Sequence, residues 1–470
     1  MIIKEIEKFK DKKDIALIED SKIIYYKDLI KSFSENDEKI IERSIVFIIA
    51  INNIDSIIFY LKCLKQGAIV LLLNHSISFS NLRKLIQEFN PSMIFSIKEF
   101  KDLNTKTICF PKYIIYLFKN HASNLNSNIT LLLTTSGSTG DPKLVMVSNR
   151  NLYINTESIS NYLSISSKDR HITTLPFNYT YGLSCINTHL FRGASIVLNN
   201  DSIISPKFIK RINEFSPTTF AGVPYTYETF CRFGLEKLPF SSIQKMTQAG
   251  GKLNEKFIVQ INKFCSKYKK EFFIMYGQTE ATARMSYLPP KMLPKKIGSI
   301  GVAIPGGNFK IINKKNYDSV NNFEVGELVY EGENVTLGYA INANDLKKTH
   351  MNKKVLHTGD LAYIDDDGYF FITGRINRFA KINGLRVSLD SIENKISKFY
   401  KNAVISDDKY IYIFVEENTE KDQLEDLLFL KDFLKKETEI NPISFKLKWI
   451  KKLPRKDSGK LNYIKLEQFK

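Results

Sequence analysis

Cysteine is scarce in this chain: Cys63, Cys109, Cys185, Cys231 and Cys265 are scattered through 470 residues. Their number is odd and none stand at metal-ligand spacing. That excludes a cysteine-based zinc site and a disulfide framework, and leaves reduced, mostly core thiols of the kind found in the cytosol. Long apolar runs are also lacking. A membrane helix needs roughly 18 or more apolar residues in succession, and the closest approach, Ile57 to Leu73, is interrupted by Lys62 and Lys65. The opening "MIIKEIEKFKDKKD" has neither an apolar centre nor a small-residue cleavage site, so no secretory leader is expected. A cytoplasmic protein with no membrane span is the expectation. Acidic residues are fewer than basic ones, 50 against 68, for a net charge of +18. The excess is lysine rather than arginine and forms no dense block, so no nucleic-acid partner is expected. The positive field suits small polyanions or an acidic partner protein instead. Internal repeats and low-complexity segments are absent.

What is present is a globular composition, 43% hydrophobic and 25% charged, over a length that suits roughly three domain-sized units. "SIVFIIA" (44–50) reads as a buried strand, "DSIIFYLKCLKQG" (55–67) as a helix ending at Gly67, and "AIVLLLN" (68–74) as the next strand. Strand, helix, strand is the pattern of parallel α/β structure. It recurs at "ASIVLNN", "TTFAGVP" and "EFFIMYG". From about residue 295 the texture changes to glycine- and proline-rich stretches with short strands such as "GELVYEG" and "GYFFITG", which suggest antiparallel or barrel-like sheet. After Arg375 a smaller α+β module follows, with strands at 409–417 and 444–450 and a helix around Leu424 to Leu434.

Five stretches carry chemistry. "LLLTTSGSTGDPK" sets hydroxyls and glycines before Lys143, between two apolar runs. Glycines let backbone N–H groups converge on phosphate oxygens. A solvated linker has the same composition, but the apolar flanks pin both ends, and the spacing is not that of a Walker-type loop. "EFFIMYGQTEATAR" runs a strand into a turn bearing Glu280. This carboxylate suits Mg²⁺, which shares oxygen ligands with phosphates, or simply a helix start. In "LHTGDLAYIDDDGYFFITGR", Asp360 suits two ribose hydroxyls or a turn, and Asp365, Asp366 and Asp367 before Gly368 read as a hairpin turn. "RFAKINGLRVSLDSIE" and "LPRKDSGKLNY" are basic loops, solvated or facing an anion.

In this order and at these separations the five stretches resemble the adenylate-forming superfamily of acyl- and aryl-CoA synthetases, peptide-synthetase adenylation domains and firefly luciferase. "TTLPFNYTYGLS", "AGVPYTYE", "TQAGGKL" and "GSIGVAIPG" fit as intermediate landmarks, so the likeness spans nearly the whole chain. The resemblance implies an α/β fold: a large N-terminal domain (1–375) of two α/β subdomains plus a distorted β-barrel, and a small mobile α+β C-terminal lid (376–470) with its hinge near Asn377. It implies that Thr135, Ser136, Gly137, Ser138, Thr139, Gly140 and Lys143 wrap the triphosphate of ATP. Ala249, Gly250, Gly251 and Tyr276 would line the adenine pocket, and Gly277 would also belong to the nucleotide site. Thr279 would touch the α-phosphate, Glu280 would bind Mg²⁺, and Asp360 and Arg375 would hold the ribose. Lys460 would serve adenylation. After the lid turns, Lys381 and Gly384 would serve thiol transfer.

The implied activity joins a small carboxylic acid to a thiol through an acyl-adenylate, with coenzyme A as acceptor. The alternative acceptor is the phosphopantetheine arm of a separate carrier protein. A remoter alternative, a non-catalytic protein binding nucleotide or nucleic acid, is disfavoured by the presence of Glu280, Lys460 and Lys381 together. Two departures stand out. The hinge position holds Asn377 where the family usually has Asp or Lys. Asn178 and Tyr179 also stand where many relatives have histidine, and no aspartate lies between Leu175 and Leu190 to pair a substrate amine. The acid is therefore expected to be a fatty, hydroxy or aromatic carboxylate rather than an α-amino acid, with Phe177, Tyr179, Tyr181, Tyr225 and Tyr227 near its pocket or in the ordinary core.

Overall fold

Uninterrupted apolar runs become the central strands. A computed structural model describes residues 2–103, 105–134, 143–313, 318–348, 354–376, 378–382, 385–407, 409–417, 423–438, 440–456 and 459–470. The chain divides into two compact units. One comprises Met1–Lys295, Ala303–Asn308 and Glu331–Leu356, the other Lys296–Val302, Phe309–Tyr330 and His357–Lys470.

In the first unit, Ile45–Ala50 pairs in parallel with Ile69–Asn74 and with Met93–Ser96. Val46 and Ile48 enter one core together with Val70 and Leu72, while Ile45, Phe47 and Ile49 enter another with Ile69, Leu71 and Leu73. Both faces are covered, which is why this strand reads as continuous rather than alternating apolar sequence. The connecting helix Ile54–Lys65 starts where the Asn53 side chain accepts from the Ser56 N–H at 3.0 Å. The chain leaves it through Gly67 at φ +73°, a left-handed exit that glycine makes at no steric cost. The same sheet continues through Ile129–Thr134, antiparallel Leu144–Ser148 and the short edge strand Tyr339–Ala340.

A second sheet of this unit sets Thr219–Gly222, Lys245–Gln248 and Glu271–Tyr276 side by side in parallel, and Ser286–Leu288 returns antiparallel to the last. Helices Pro224–Phe233 and Glu255–Lys267 make the crossovers. The carboxyl ends of the three parallel strands therefore share one edge, where open α/β sheets present ligand-binding loops.

The second unit carries a hairpin in which the strand Val355–Ile364, from His357 onward, pairs with Phe370–Arg375. Its turn is the one the three aspartates suggest: Asp365 Oδ1 accepts from the N–H groups of Asp367 and Tyr369 at 3.1 and 2.8 Å, and Gly368 takes φ +82°. Beyond it, Asn402–Ser406, Ile411–Glu416 and Phe445–Ile450 form a sheet with the helices Leu389–Ile396 and Gln423–Glu437 nearby in sequence. Ile392, Ile396, Ile413, Leu430, Leu434 and Phe445 belong to a core of its own. The α/β class expected for the chain, and the α+β texture expected after Arg375, are both observed.

Candidate active site

The residues flanking the hydroxyl-rich stretch pair with each other. Thr134 pairs with Leu144, so the loop between them leaves and re-enters one antiparallel ladder. Thr135, Ser136, Gly137, Ser138, Thr139 and Gly140 lie outside the described residues, and Lys143 is exposed at the hairpin's return. On its other side Leu144–Ser148 pairs with the edge strand, Tyr339 opposite Val145 and Ala340 opposite Leu144. Tyr339 reaches from there to the second stretch: its hydroxyl donates to Glu280 Oε1 at 2.7 Å. The Glu280 carbonyl accepts from the N–H and hydroxyl of Thr336 at 2.9 and 3.0 Å. Leu337 N–H in turn donates to Met146 O at 2.9 Å. The Glu280 turn and the flank of the hydroxyl loop are thus tied into one ladder. Burial and the Glu280 carboxylate both push the Tyr339 phenol upward, so it stays protonated and donates.

Glu280 stands in a sharp reversal. Strand Glu271–Tyr276 ends, Thr279–Ala281 makes one 3₁₀ turn, and Met285 N–H returns to Tyr276 O at 2.8 Å. Thr282 takes φ +69°, ψ −52°, with Ala283 N–H donating to Ala281 O at 2.8 Å. That is a γ-turn of the strained kind, unusual for a β-branched residue and costing about 1–3 kcal/mol. Asn334 holds it: its side-chain amide donates to Ala281 O at 2.9 Å, and its main-chain carbonyl accepts from the Thr282 hydroxyl at 2.7 Å. Gly277 is glycine because a Cβ there would meet Ala283 O at 2.0 Å.

Thr279 Oγ1 lies 3.3 Å from Thr180 Oγ1, at the start of helix Thr180–Phe191. Tyr276 accepts from Gln278 Nε2 at 3.2 Å. On the neighbouring strand, Ala249 is buried, Gly250 takes φ +84°, and Gly251 O accepts from Gln248 Nε2 at 2.9 Å. Gln248 is in register with Ile274, so the Ala249–Gly251 turn and the Tyr276–Glu280 turn leave adjacent strands at the same end. Of the aromatics, Phe177, Tyr181 and Tyr227 are buried core residues, and the Tyr181 and Tyr227 hydroxyls both donate to Thr247 O. Tyr179 and Tyr225 are partly buried against the same cluster as Tyr181.

In the second unit, Asp360 faces Arg375 across the hairpin, and Arg375 Nε donates to Asp360 Oδ1 at 2.9 Å. Asp360 is 2% exposed. Arg375 N–H donates to Asp390 Oδ2 at 2.9 Å. Lys381 lies on strand Phe379–Ile382, opposite Arg386, and its side chain, with Asn377 and Gly384, lies outside the described residues. Lys460 is partly buried and closes a small loop: its carbonyl accepts from Lys456 N–H at 2.8 Å, and Gly459 takes φ +78°.

Among the described residues no group of three or more His, Cys, Asp or Glu converges as a metal cage. A single oriented carboxylate suits Mg²⁺, which takes its remaining ligands from phosphates and water. Sequence reasoning missed Thr180, Asn334 and Tyr339. Tyr339 had no signal of its own, since a two-residue edge strand has no periodicity and its partner Glu280 is remote in sequence.

The profile of the AMP-binding enzyme family matches residues 39–340. The chain belongs to that family. A Saccharomyces cerevisiae relative named oxalate–CoA ligase is 27% identical over 378 residues, covering 78% of this chain and 66% of that protein, so this chain spans just under two thirds of that relative's length. A Staphylococcus aureus relative, D-alanine–D-alanyl carrier protein ligase, is 26% identical and covers 74% of this chain and 72% of its own. Among solved structures, Bacillus subtilis o-succinylbenzoate coenzyme A synthetase with ATP and magnesium superposes with a TM-score of 0.78 at 20% identity, covering 98% of each chain. Family and fold agree with the adenylate-forming resemblance of the five stretches. Among the described residues no helix is long and apolar enough to cross a membrane.

Proposed function

We propose that this protein activates a carboxylic acid with Mg·ATP and transfers the acyl group to coenzyme A. A carboxylate oxygen attacks the α-phosphorus, the bond from that phosphorus to the bridging oxygen breaks, and pyrophosphate leaves. A thiol then attacks the acyl carbon, AMP leaves, and the thiol proton passes to solvent. Bringing an anion to a polyanion needs donors and cations where charge accumulates. In this reading the 135–140 loop and Lys143 bind the triphosphate, Ala249, Gly250, Gly251 and Tyr276 bind adenine, and Gly277 belongs to the same nucleotide site. Thr279 meets the α-phosphate, Glu280 holds Mg²⁺, and Asp360 and Arg375 bind the ribose. Lys460 assists the first half-reaction and Lys381 the second, with residues 376–470 turning as a lid about Asn377.

The observation that carries the reading is the tie between Glu280 and the hydroxyl-loop hairpin through Tyr339, at 2.7 Å, with Thr279 facing Thr180. A polyanion held by the loop and a cation held by Glu280 would then be neighbours. The relatives' names include a CoA ligase and a carrier-protein ligase, which supports a phosphopantetheine thiol in either form. The test is acid-dependent exchange of labelled pyrophosphate into ATP across an acid library, followed by mass spectrometry with coenzyme A and with a carrier protein as acceptors. Acid-dependent exchange and an acyl-CoA product are expected. Product only on the carrier would replace the acceptor, and no exchange with any acid would overturn the reading.

A further inference from the structure

Arg284 is a buried cation with no acid beside it among the described residues. Its side chain lies in the first unit and the residue is 2% exposed. Its contacts are aromatic or soft: Cζ stands 4.9 Å from the Tyr181 ring centre, and Nη2 donates to the Cys185 sulfur at 3.3 Å. Among the described residues, Nε and Nη1 are buried without an acceptor in good hydrogen-bond geometry, and the one further oxygen the guanidinium feels at close range is the phenol of Tyr162, itself held protonated chiefly by burial. A guanidinium does not shed its proton, and leaving one buried and unneutralised is costly. The chain treats its other enclosed arginines differently. Arg211 pairs with Asp20 and Asp201, and Arg378 with Asp390 and Glu393. Arg43 and Arg170 donate to main-chain carbonyls.

Among the described residues nothing close to Arg284 supplies the missing negative charge. Burial holds the Tyr181 phenol and the Cys185 thiol above their ordinary values, so both stay neutral. Burial likewise lowers His171 and His189, which add no charge of either sign near neutral pH. Tyr162 and Tyr287 stack nearby in the same core, ring centres 4.1 Å apart and 10° from parallel. The position is specific. Arg284 follows Glu280 through the strained turn at Thr282, and helix Thr180–Phe191, which meets Thr279 at Thr180, meets Arg284 at Tyr181 and Cys185.

We infer that Arg284 anchors a second carboxylate on the acid substrate, so that this enzyme activates a dicarboxylic acid whose reacting end lies toward Thr279 and whose free end accepts from the guanidinium N–H groups that no carboxylate among the described residues meets. The inference rests on the adenylation reading above and narrows it from carboxylic acids at large to diacids.

The experiment compares linear dicarboxylic acids with monocarboxylic acids of matched length, in pyrophosphate exchange and in acid-dependent thermal shift at saturating Mg·ATP. Wild type is expected to favour the best diacid at least ~100-fold in kcat/KM, as expected for a site whose buried donors go unpaired with the wrong ligand. Arg284→Gln should lose ~10²–10³-fold with the diacid and lose its diacid thermal shift, while the matched monoacid is unchanged or improved. Arg284→Lys should retain part of the preference. Should Arg284→Gln not fold, the wild-type panel and Arg284→Lys decide. Wild-type preference for a monoacid, or equal losses with both acids in either variant, overturns the inference and leaves adenylation standing. No exchange with any acid, together with no thermal shift from Mg·ATP, overturns adenylation and the inference with it.

Discussion

Replacing Gly277 by alanine puts a methyl group where the chain has no room. The added Cβ would lie 2.0 Å from Ala283 O, 2.7 Å from Arg284 Cα and 2.9 Å from Ala283 C, all backbone atoms. Ordinary carbon contacts lie at about 3.5–4.0 Å, so the returning strand must retreat by about 1 Å or more. No side chain can rotate away to absorb this. The segment that moves is the one between Tyr276 and Met285, which carries Thr279 and Glu280 and is already strained at Thr282. A displacement of that size in a positioning element costs about 10²-fold in rate, or ~2.7 kcal/mol of transition-state stabilisation. Overpacking adds about 1–3 kcal/mol of destabilisation. The assay is pyrophosphate exchange at a temperature where circular dichroism shows the variant folded, with an acid known to be turned over by wild type. A Gly277→Ala enzyme within threefold of wild type would refute the reasoning about this turn.

Lys460→Ala should lower acyl-adenylate formation ~10²–10³-fold, as for loss of one transition-state donor, yet spare transfer from supplied acyl-adenylate. Lys381→Ala should do the reverse, and equal damage to both half-reactions in both variants would contradict the division of labour. Tyr339→Phe removes the donor to Glu280, a hydrogen bond to a charged group worth ~1.5–3 kcal/mol, so the Mg²⁺ concentration for half-maximal exchange should rise about tenfold or more, and an unchanged requirement would count against Glu280 as the metal ligand. Stability should fall in acid. His189 is held down to about 4 chiefly by burial, and His171 lies well below its ordinary value for the same reason. The unfolded chain therefore binds protons that the folded one refuses as pH falls below about 6.5, and by pH 4 His189 alone forfeits ~3 kcal/mol. Urea unfolding between pH 7.5 and 4.5 should show this, with a flatter profile in His189→Gln; identical profiles would contradict it.

The histidine pair illustrates what a sequence conceals. His171 Nδ1 and His189 Nε2 both meet the Thr219 hydroxyl, at 3.1 and 2.9 Å, and His189 Nδ1 lies 2.7 Å from Cys185 O. One proton assignment serves all three contacts: His171 donates to Thr219, Thr219 to His189, and His189 to Cys185 O. Nothing in the local sequence announces that chain, because its members come from two strands and a helix. Runs such as 44–50 and 68–74 were legible because burial on both faces makes a strand continuously apolar. That both flanks of the hydroxyl-rich stretch are anchored was legible from their apolar runs, which pair with each other, Thr134 with Leu144. The Asp360 and Arg375 pairing was visible only through the resemblance, since strand register decides it. Arg284 stood in plain sight at the end of "YGQTEATAR", but arginine is seldom buried, and only the fold removes it from water.

That this chain joins a carboxylate oxygen to the α-phosphorus of ATP is tested most directly with an acid carrying heavy oxygen in its carboxylate, incubated with Mg·ATP, coenzyme A and the enzyme, and read by mass spectrometry of the nucleotide and phosphate products. One heavy oxygen in AMP, with unlabelled pyrophosphate, is the predicted result. Heavy oxygen in inorganic phosphate beside ADP, or unlabelled AMP, would contradict it.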